Sequence, residues 1–209
     1  MKRLHRKDLW CWSVFDEDRN LDFHSFLWVR EQGNVVIDPL PLTPHDREHL
    51  QSLGGVATIL VTNSDHVRAT NALASEGVRV LGPLGEAGGP VFCERGADGD
   101  CACDGFLKEG DEPIPGLQVH AMEGSKTRGE LAMVLDGTTL ICGDLVRAHE
   151  GGRLCLLPDA KLSDKEAAVA SVARLAAIDT IEAVLTSDGW PVFRDGHAIL
   201  QELMRDLGR

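Results

Sequence analysis

The sequence predicts an α/β fold of four layers, in which two sheets pack face to face and helices cover their outer faces. Two observations carry that expectation. Runs of β-forming residues come as hairpins both early and late in the chain. Each set of hairpins is followed by segments with helical spacing, the pattern of layered sheet-and-helix architectures. At 209 residues one domain accounts for the whole chain, 1–209, with a Gly/Cys-rich insertion at about 82–110.

The elements follow in order. Phe26 to Val29 and Asn34 to Asp38 are apolar runs separated by Arg30-Glu31-Gln32-Gly33, which reads as a hairpin. Thr43-Pro44 with Asp46 supplies a capping hydroxyl, a first-turn proline and an early acid, and Gly54-Gly55 closes the short helix so begun. Val56 to Val61 is a strand, and Val67, Thr70, Leu73 and Ala74 at helical spacing predict a helix running to Gly77. Val78 to Leu81 is another strand. Residues 82–110 are rich in Gly, Asp and Pro without a sustained period, so a long surface insertion is expected there, with Cys93, Cys101 and Cys103 as exposed thiols.

Leu117 to Met122, Leu131 to Leu135 and Thr138 to Ile141 are strands, the last two joined by Asp136-Gly137, a strong two-residue hairpin signal. Ser163-Asp164-Lys165-Glu166 reads as a capping box for a helix carrying Val169, Val172, Leu175 and Ala176. Ala183 to Leu185 is the strand after it. Ile199, Leu200, Leu203 and Leu207 give the last helix, Gly196 to Leu207, an apolar face.

Composition excludes several classes. Acidic residues outnumber basic ones by 33 to 21, and the net charge of −12 repels phosphate backbones and anionic headgroups, so neither nucleic acid nor a membrane is expected as partner. No run of about 18 apolar residues without a charge occurs. The basic start, Met1 to Asp8, leads into Asp16, Glu17, Asp18 and Arg19 rather than an apolar stretch, so no signal peptide is expected. Six cysteines without an export signal point to reduced thiols and a cytoplasmic setting. The expected partner is a small-molecule substrate or ligand, with a homodimer left open.

Four polar clusters follow expected strands: Thr62 to His66, Gly124 to Thr127, Gly143-Asp144, and Ser187-Asp188-Gly189-Trp190. Taken in order with the strands, they resemble the metallo-β-lactamase superfamily over nearly the whole chain, and the resemblance implies that family's αββα sandwich. In that family a His-x-His-x-Asp-His loop, a third His, an Asp in a GD pair and a last His hold two metals. By this resemblance Thr62 and Ser64 stand for the first two His and Ser125 for the third, which leaves the first metal site without imidazoles. Asp65, His66, Asp144 and Asp188 stand for the second site, with Asp188 in place of the last His.

Three carboxylates gathered in one cleft are costly to ionise without a counter-charge. Either a cation binds, or a base pairs with them, or a proton is retained. An oxygen-rich set with one imidazole suits one divalent metal, Zn, Mn or Fe, while Lys126 and Arg147 from the neighbouring clusters offer the alternative of a salt-bridged cleft with no metal. The resemblance then implies hydrolysis of an ester, thioester, lactone or phosphoester by a metal-bound water. In that scheme Asp65 and Asp188 are ligands or proton carriers, Lys126 stabilises an oxyanion, and Ser64, Ser125 and Trp190 line the substrate pocket. The alternative is a non-catalytic protein that kept the fold, lost the metal and binds a small molecule or partner. Plainer roles stand beside these: Ser64 or Asp65 also fits a helix cap, Asp144 a turn acid, and Trp190 buried packing.

Overall fold

The structure, a computed structural model, describes residues 1–97 and 99–208. It divides into two units, residues 1–82 with 86–106, and residues 83–85 with 107–209. Among the described residues no helix is long and apolar enough to cross a membrane.

The first unit is built on a seven-stranded sheet. β1 (Lys2–Arg3) and β2 (Leu9–Asp16) lead into β3 (Leu21–Trp28), which pairs antiparallel with β2 along its whole length, from Leu9 opposite Trp28 to Asp16 opposite Leu21. Their turn closes where Asp16 accepts the Arg19 amide at 2.9 Å and Asn20 takes a left-handed φ of 50°, which Asn tolerates better than most residues. β4 (Val35–Ile37) pairs with β3 as the expected hairpin.

α1 (Pro44–Ser52) starts as the sequence predicts, with Thr43 accepting the Asp46 amide at 3.1 Å. Buried Asn34 donates to the Leu53 and Gly55 carbonyls and so ties down the helix's far end. β5 (Thr58–Leu60) is followed by a single 3-10 turn, Ser64–His66, and by α2 (Thr70–Leu73). The helix expected up to Gly77 is thus only four residues long: Arg68 turns left-handed (φ 42°) before it, and at Ala74 the backbone leaves the helical region (ψ 70°). β4, β5 and β6 (Arg79–Pro83) run parallel, and Val35, Val36, Ile37, Ile59, Leu60, Val80 and Leu81 are all buried, as a continuous apolar run in a parallel sheet requires.

The segment expected as an insertion, in which Asp98 lies outside the described residues, contains β7 (Phe92–Glu94), β8 (Cys101–Cys103) and β9 (Gly105–Leu107). β7 and β8 form a parallel pair, and β9 extends the large sheet beside β6. Cys93, Cys101 and Cys103 are buried rather than exposed, the last two in the same core as Phe92, Leu27 and Ile59. Gly and Asp dominate the turns here, and three-residue strands are too short to show a period.

In the second unit β10 (Leu117–Met122), β11 (Glu130–Leu135) and β12 (Thr139–Cys142) form an antiparallel meander. Asp136 and Gly137 between the last two both have positive φ, 48° and 70°, which the right-handed twist of a tight hairpin demands. β13 (Val146–Glu150) and β14 (Arg153–Leu156) form a separate ribbon. α3 (Lys165–Ala176) then carries the chain across to β15 (Ala183–Thr186), which pairs parallel with β12, and α4 (Gly196–Leu207) ends it. Met122, Val134, Leu140, Leu175, Val184, Leu200 and Leu203 make this unit's core, each side chain contributing about 1.5–3 kcal/mol by burial.

The cap of α3 falls one residue later than the capping box predicts: Asp164, not Ser163, accepts the Ala167 amide, at 3.0 Å. Asp164→Ala is expected to cost about 1 kcal/mol, seen as a fall of about 2–4 °C in Tm for a chain of this size; an unchanged Tm would remove Asp164 from that role.

Candidate active site

In the first unit the chemistry gathers where β4 and β5 end. Asp38, directly after β4, takes a left-handed φ of 51° and is fully buried. It accepts the Thr62 amide at 2.8 Å, the Thr62 hydroxyl at 2.7 Å and Nδ1 of buried His66 at 2.8 Å. Burial works to raise this carboxyl, but the His66 charge and hydrogen bond, the Arg68 charge and the Thr62 amide outweigh it, and Asp38 is held below the ordinary carboxylate range. An ionised carboxylate only accepts, so the proton between it and His66 sits on Nδ1, leaving Nε2 as the imidazole's remaining nitrogen. A carboxylate behind a histidine fixes ring orientation and tautomer in this way.

In the second unit the centre is Arg147. Its Nε donates to the Asp144 carbonyl at 2.9 Å, and its Nη2 lies 2.8 Å from Asp144 Oδ1 and 3.0 Å from Asp188 Oδ2. Lys126 Nζ reaches Asp144 Oδ2 at 2.9 Å. Asp144, Arg147 and Asp188 are buried, with exposures of 2%, 6% and 1%, so water screens the Arg147 contacts little. Two carboxylates therefore face two basic side chains.

The backbone is shaped to hold it. Asp144 follows β12 and Asp188 follows the parallel strand β15, which sets the two acids side by side. The Ala148 amide donates to the Asp188 carbonyl at 3.4 Å and the Trp190 amide to the Ala148 carbonyl at 2.7 Å, lacing the final turn to β13. Gly189 between them has a φ of 86°, and a Cβ there would come within 2.1 Å of the Ala148 oxygen, so no other residue fits this approach. Buried Glu130 accepts the Ser125 hydroxyl at 2.5 Å and the Leu145 amide at 2.7 Å, anchoring the loops after β10 and β12 to one side chain.

The residues singled out in the sequence thus have different partners. Lys126, Asp144 and Asp188 are brought together around Arg147. His66 is paired with Asp38, which sequence reading recorded only as a strand end. Asp65 is exposed, its amide donating to the Asn63 side chain at 2.9 Å. Ser64 is half-buried and gives its amide to Glu86, whose carboxyl burial raises. Ser125 is fully buried against Glu130, so it is a loop anchor in this structure, and Trp190 is 64% exposed rather than packed. Counted back from Asp65-His66, the His-x-His spacing falls on Val61 and Asn63, not Thr62 and Ser64. Val61 is a core residue and Asn63 a turn cap, so the first set of ligands is still without an imidazole.

Whether these residues fit a divalent ion is decided by their donors. Asp144 and Asp188 are close enough to share one cation, with an oxygen of each within 4.8 Å of the other. The group that reaches both is Arg147, which has N–H donors, no lone pair and a charge it does not lose. Both Asp144 oxygens are engaged by cationic side chains, and the Thr62 and Ser125 hydroxyls give their protons to carboxylates. As arranged, the set does not fit a metal.

The family model described as metallo-beta-lactamase superfamily matches residues 1–207. No curated protein matches the sequence. Among solved structures, a metallo-beta-lactamase from Pontibacter korlensis is 17% identical with a TM-score of 0.71, the match covering 98% of this chain and 96% of that one. The mono-zinc form of the metallo-beta-lactamase FIM-1 from Pseudomonas aeruginosa is 14% identical, with a TM-score of 0.69 and coverage of 96% and 92%. An archaeal superfamily protein from Sulfolobus tokodaii is 15% identical, with a TM-score of 0.67 and coverage of 88% and 79%. Such likeness establishes the fold and bears out the α/β class expected from the sequence. That fold suggests metal-dependent hydrolases, which usually bind divalent ions such as zinc. A match over all but the last two residues leaves one assignment: this chain belongs to the metallo-beta-lactamase superfamily.

Proposed function

We propose that this chain is a ligand-binding member of its superfamily in which an arginine takes the charge-balancing role of a metal ion. The observation that carries the reading is buried Arg147, bridging Asp144 and Asp188 at 2.8 and 3.0 Å. A guanidinium satisfies the electrostatic demand of two buried acids without offering a Lewis acid or an activated water, so the hydrolytic step implied by the family loses its origin. The ligand is a small molecule that contacts exposed Trp190 and the partly exposed Lys126, the two side chains of this group that solvent reaches. The net charge of −12 disfavours nucleic acid and membrane surfaces as partners, and the setting is cytoplasmic.

The competing reading is a single Zn, Mn or Fe ion on Asp65, His66, Asp144 and Asp188, with hydrolysis of an ester, thioester, lactone or phosphoester. The proximity of Asp144 to Asp188 favours it. Elemental analysis of the purified protein, before and after Zn²⁺, Mn²⁺ and Fe²⁺ are offered, separates the two. The arginine reading expects less than a tenth of an equivalent of metal and no metal-dependent turnover on an esterase and phosphodiesterase panel. About one equivalent of metal, lost in Asp144→Asn, would overturn it.

A further inference from the structure

The buried thiols of β8 serve neither the Arg147 cluster nor the Asp38–His66 pair. In the β7–β8 ribbon Phe92 is opposite Cys101 and Glu94 opposite Cys103, so Cys101 and Cys103, two apart, project from the same face. Cys93 is opposite Ala102 and projects from the other face, where its Sγ donates to the Ala97 carbonyl at 3.4 Å. Cys101 is 0% and Cys103 2% exposed. The two thiols are neighbours along that face, packed in the core beside Phe92. Gly82 on β6 makes the room: a Cβ there would stand 3.2 Å from Cys103 Sγ and 3.1 Å from the Phe92 ring.

Two small apolar side chains would fill such a space without this contact. Residues two apart on a strand are separated by about 6.4–6.8 Å, the upper end of the range of about 4.4–6.8 Å that a disulfide accepts. A bond formed there needs the strand to pucker, and a bond under that strain is easily reduced.

We propose that Cys101 and Cys103 are a reversible redox pair that closes to a disulfide on reaction with a hydroperoxide. Cys101 is the attacking thiol. The neighbouring Cys103 thiol, the largest influence on it, holds it below the ordinary thiol range against the opposing effect of burial, while Cys101 and burial push Cys103 up. The Cys101 thiolate attacks one peroxide oxygen, the O–O bond breaks, and the departing oxygen leaves as water or alcohol. This leaves a sulfenic acid on Cys101. Cys103 sulfur then attacks Cys101 sulfur, the S–O bond breaks, and hydroxide departs with the Cys103 proton as water. With hydrogen peroxide the sum is two thiols and one peroxide giving one disulfide and two waters. Closing the bond strains the Cys101 amide bond to the Val91 carbonyl (2.8 Å) and the Arg95 amide bond to the Cys103 carbonyl (2.9 Å), so oxidation loosens β8 from β7.

Trypsin makes the test direct, because cleavage after Arg95 and Lys108 releases a fragment, residues 96–108, that holds these two cysteines and no other. The reduced full-length protein is treated with hydrogen peroxide, alkylated under denaturing conditions and digested. The expected product is this fragment unalkylated and two hydrogens lighter, restored to the doubly alkylated form when glutathione precedes alkylation. Recovery of the fragment with both thiols alkylated, or carrying a sulfinic acid with no disulfide, overturns the proposal. In Cys103→Ala, dimedone is expected to trap a sulfenic acid on Cys101. Its absence in the folded variant overturns the assignment of the attacking thiol.

Discussion

Arg147→Met is expected to lower the free energy of unfolding by about 3–5 kcal/mol, the usual cost of removing one partner from a buried ion pair. The methionine fills much of the same volume, so the loss is electrostatic. Lys126 still serves Asp144, but Asp188 loses the guanidinium that stands 3.0 Å from its Oδ2. Two additions make the experiment specific. The double variant Arg147→Met with Asp188→Asn is expected to recover at least about 1 kcal/mol of the loss, since interacting residues are non-additive by such amounts. Zn²⁺ or Mn²⁺ is expected to raise the Tm of Arg147→Met and not of the unaltered protein, because an ion that binds only the folded state stabilises it by mass action. Denaturant unfolding and thermal melts report both. A single variant within about 0.5 kcal/mol of the parent would show that Arg147 is not the balancing charge.

The second large effect is expected at Asp38. Asp38→Ala removes the carboxylate that accepts the Thr62 amide and the Nδ1 proton of buried His66, and about 3–5 kcal/mol is expected from the broken buried pair. The pH dependence follows from the lowered carboxyl. The group titrates below its unfolded value of about 3.9, so the stability it contributes is complete above that pH and is lost as pH falls through the lower folded-state value. The difference in unfolding free energy between Asp38→Asn and the parent is therefore expected to be widest near neutrality and to narrow below about pH 4. A gap that widened on acidification would mean that Asp38 is held protonated in the folded chain.

What sequence alone disclosed depends on how local each cause is. Thr43, Asp136-Gly137 and the apolar face of α4 act within a few residues, and each appears where the pattern placed it. β2 escaped notice because its charged flanks break the alternation that its pairing with β3 supplies. β13 and β14 are equally dependent on a partner. The site was half legible. Asp144 and Asp188 were singled out because they follow strands in the order of a known family, and Lys126 and Arg147 as nearby bases, but which cation would meet the acids was left open, since spacing does not fix side-chain directions. Asp38 was missed as a functional residue: its partners are 24 and 28 residues away, and only the parallel register of β4 and β5 brings them to it.

Glu130 has a wider effect than its position on β11 suggests. One of its oxygens serves the turn that carries Ser125 and Lys126, and the other serves the turn that carries Asp144 and Leu145. Two segments hung from a single carboxylate share one point of failure. Removing the Glu130 carboxylate would therefore unfasten the stretches bearing Lys126 and Asp144 together.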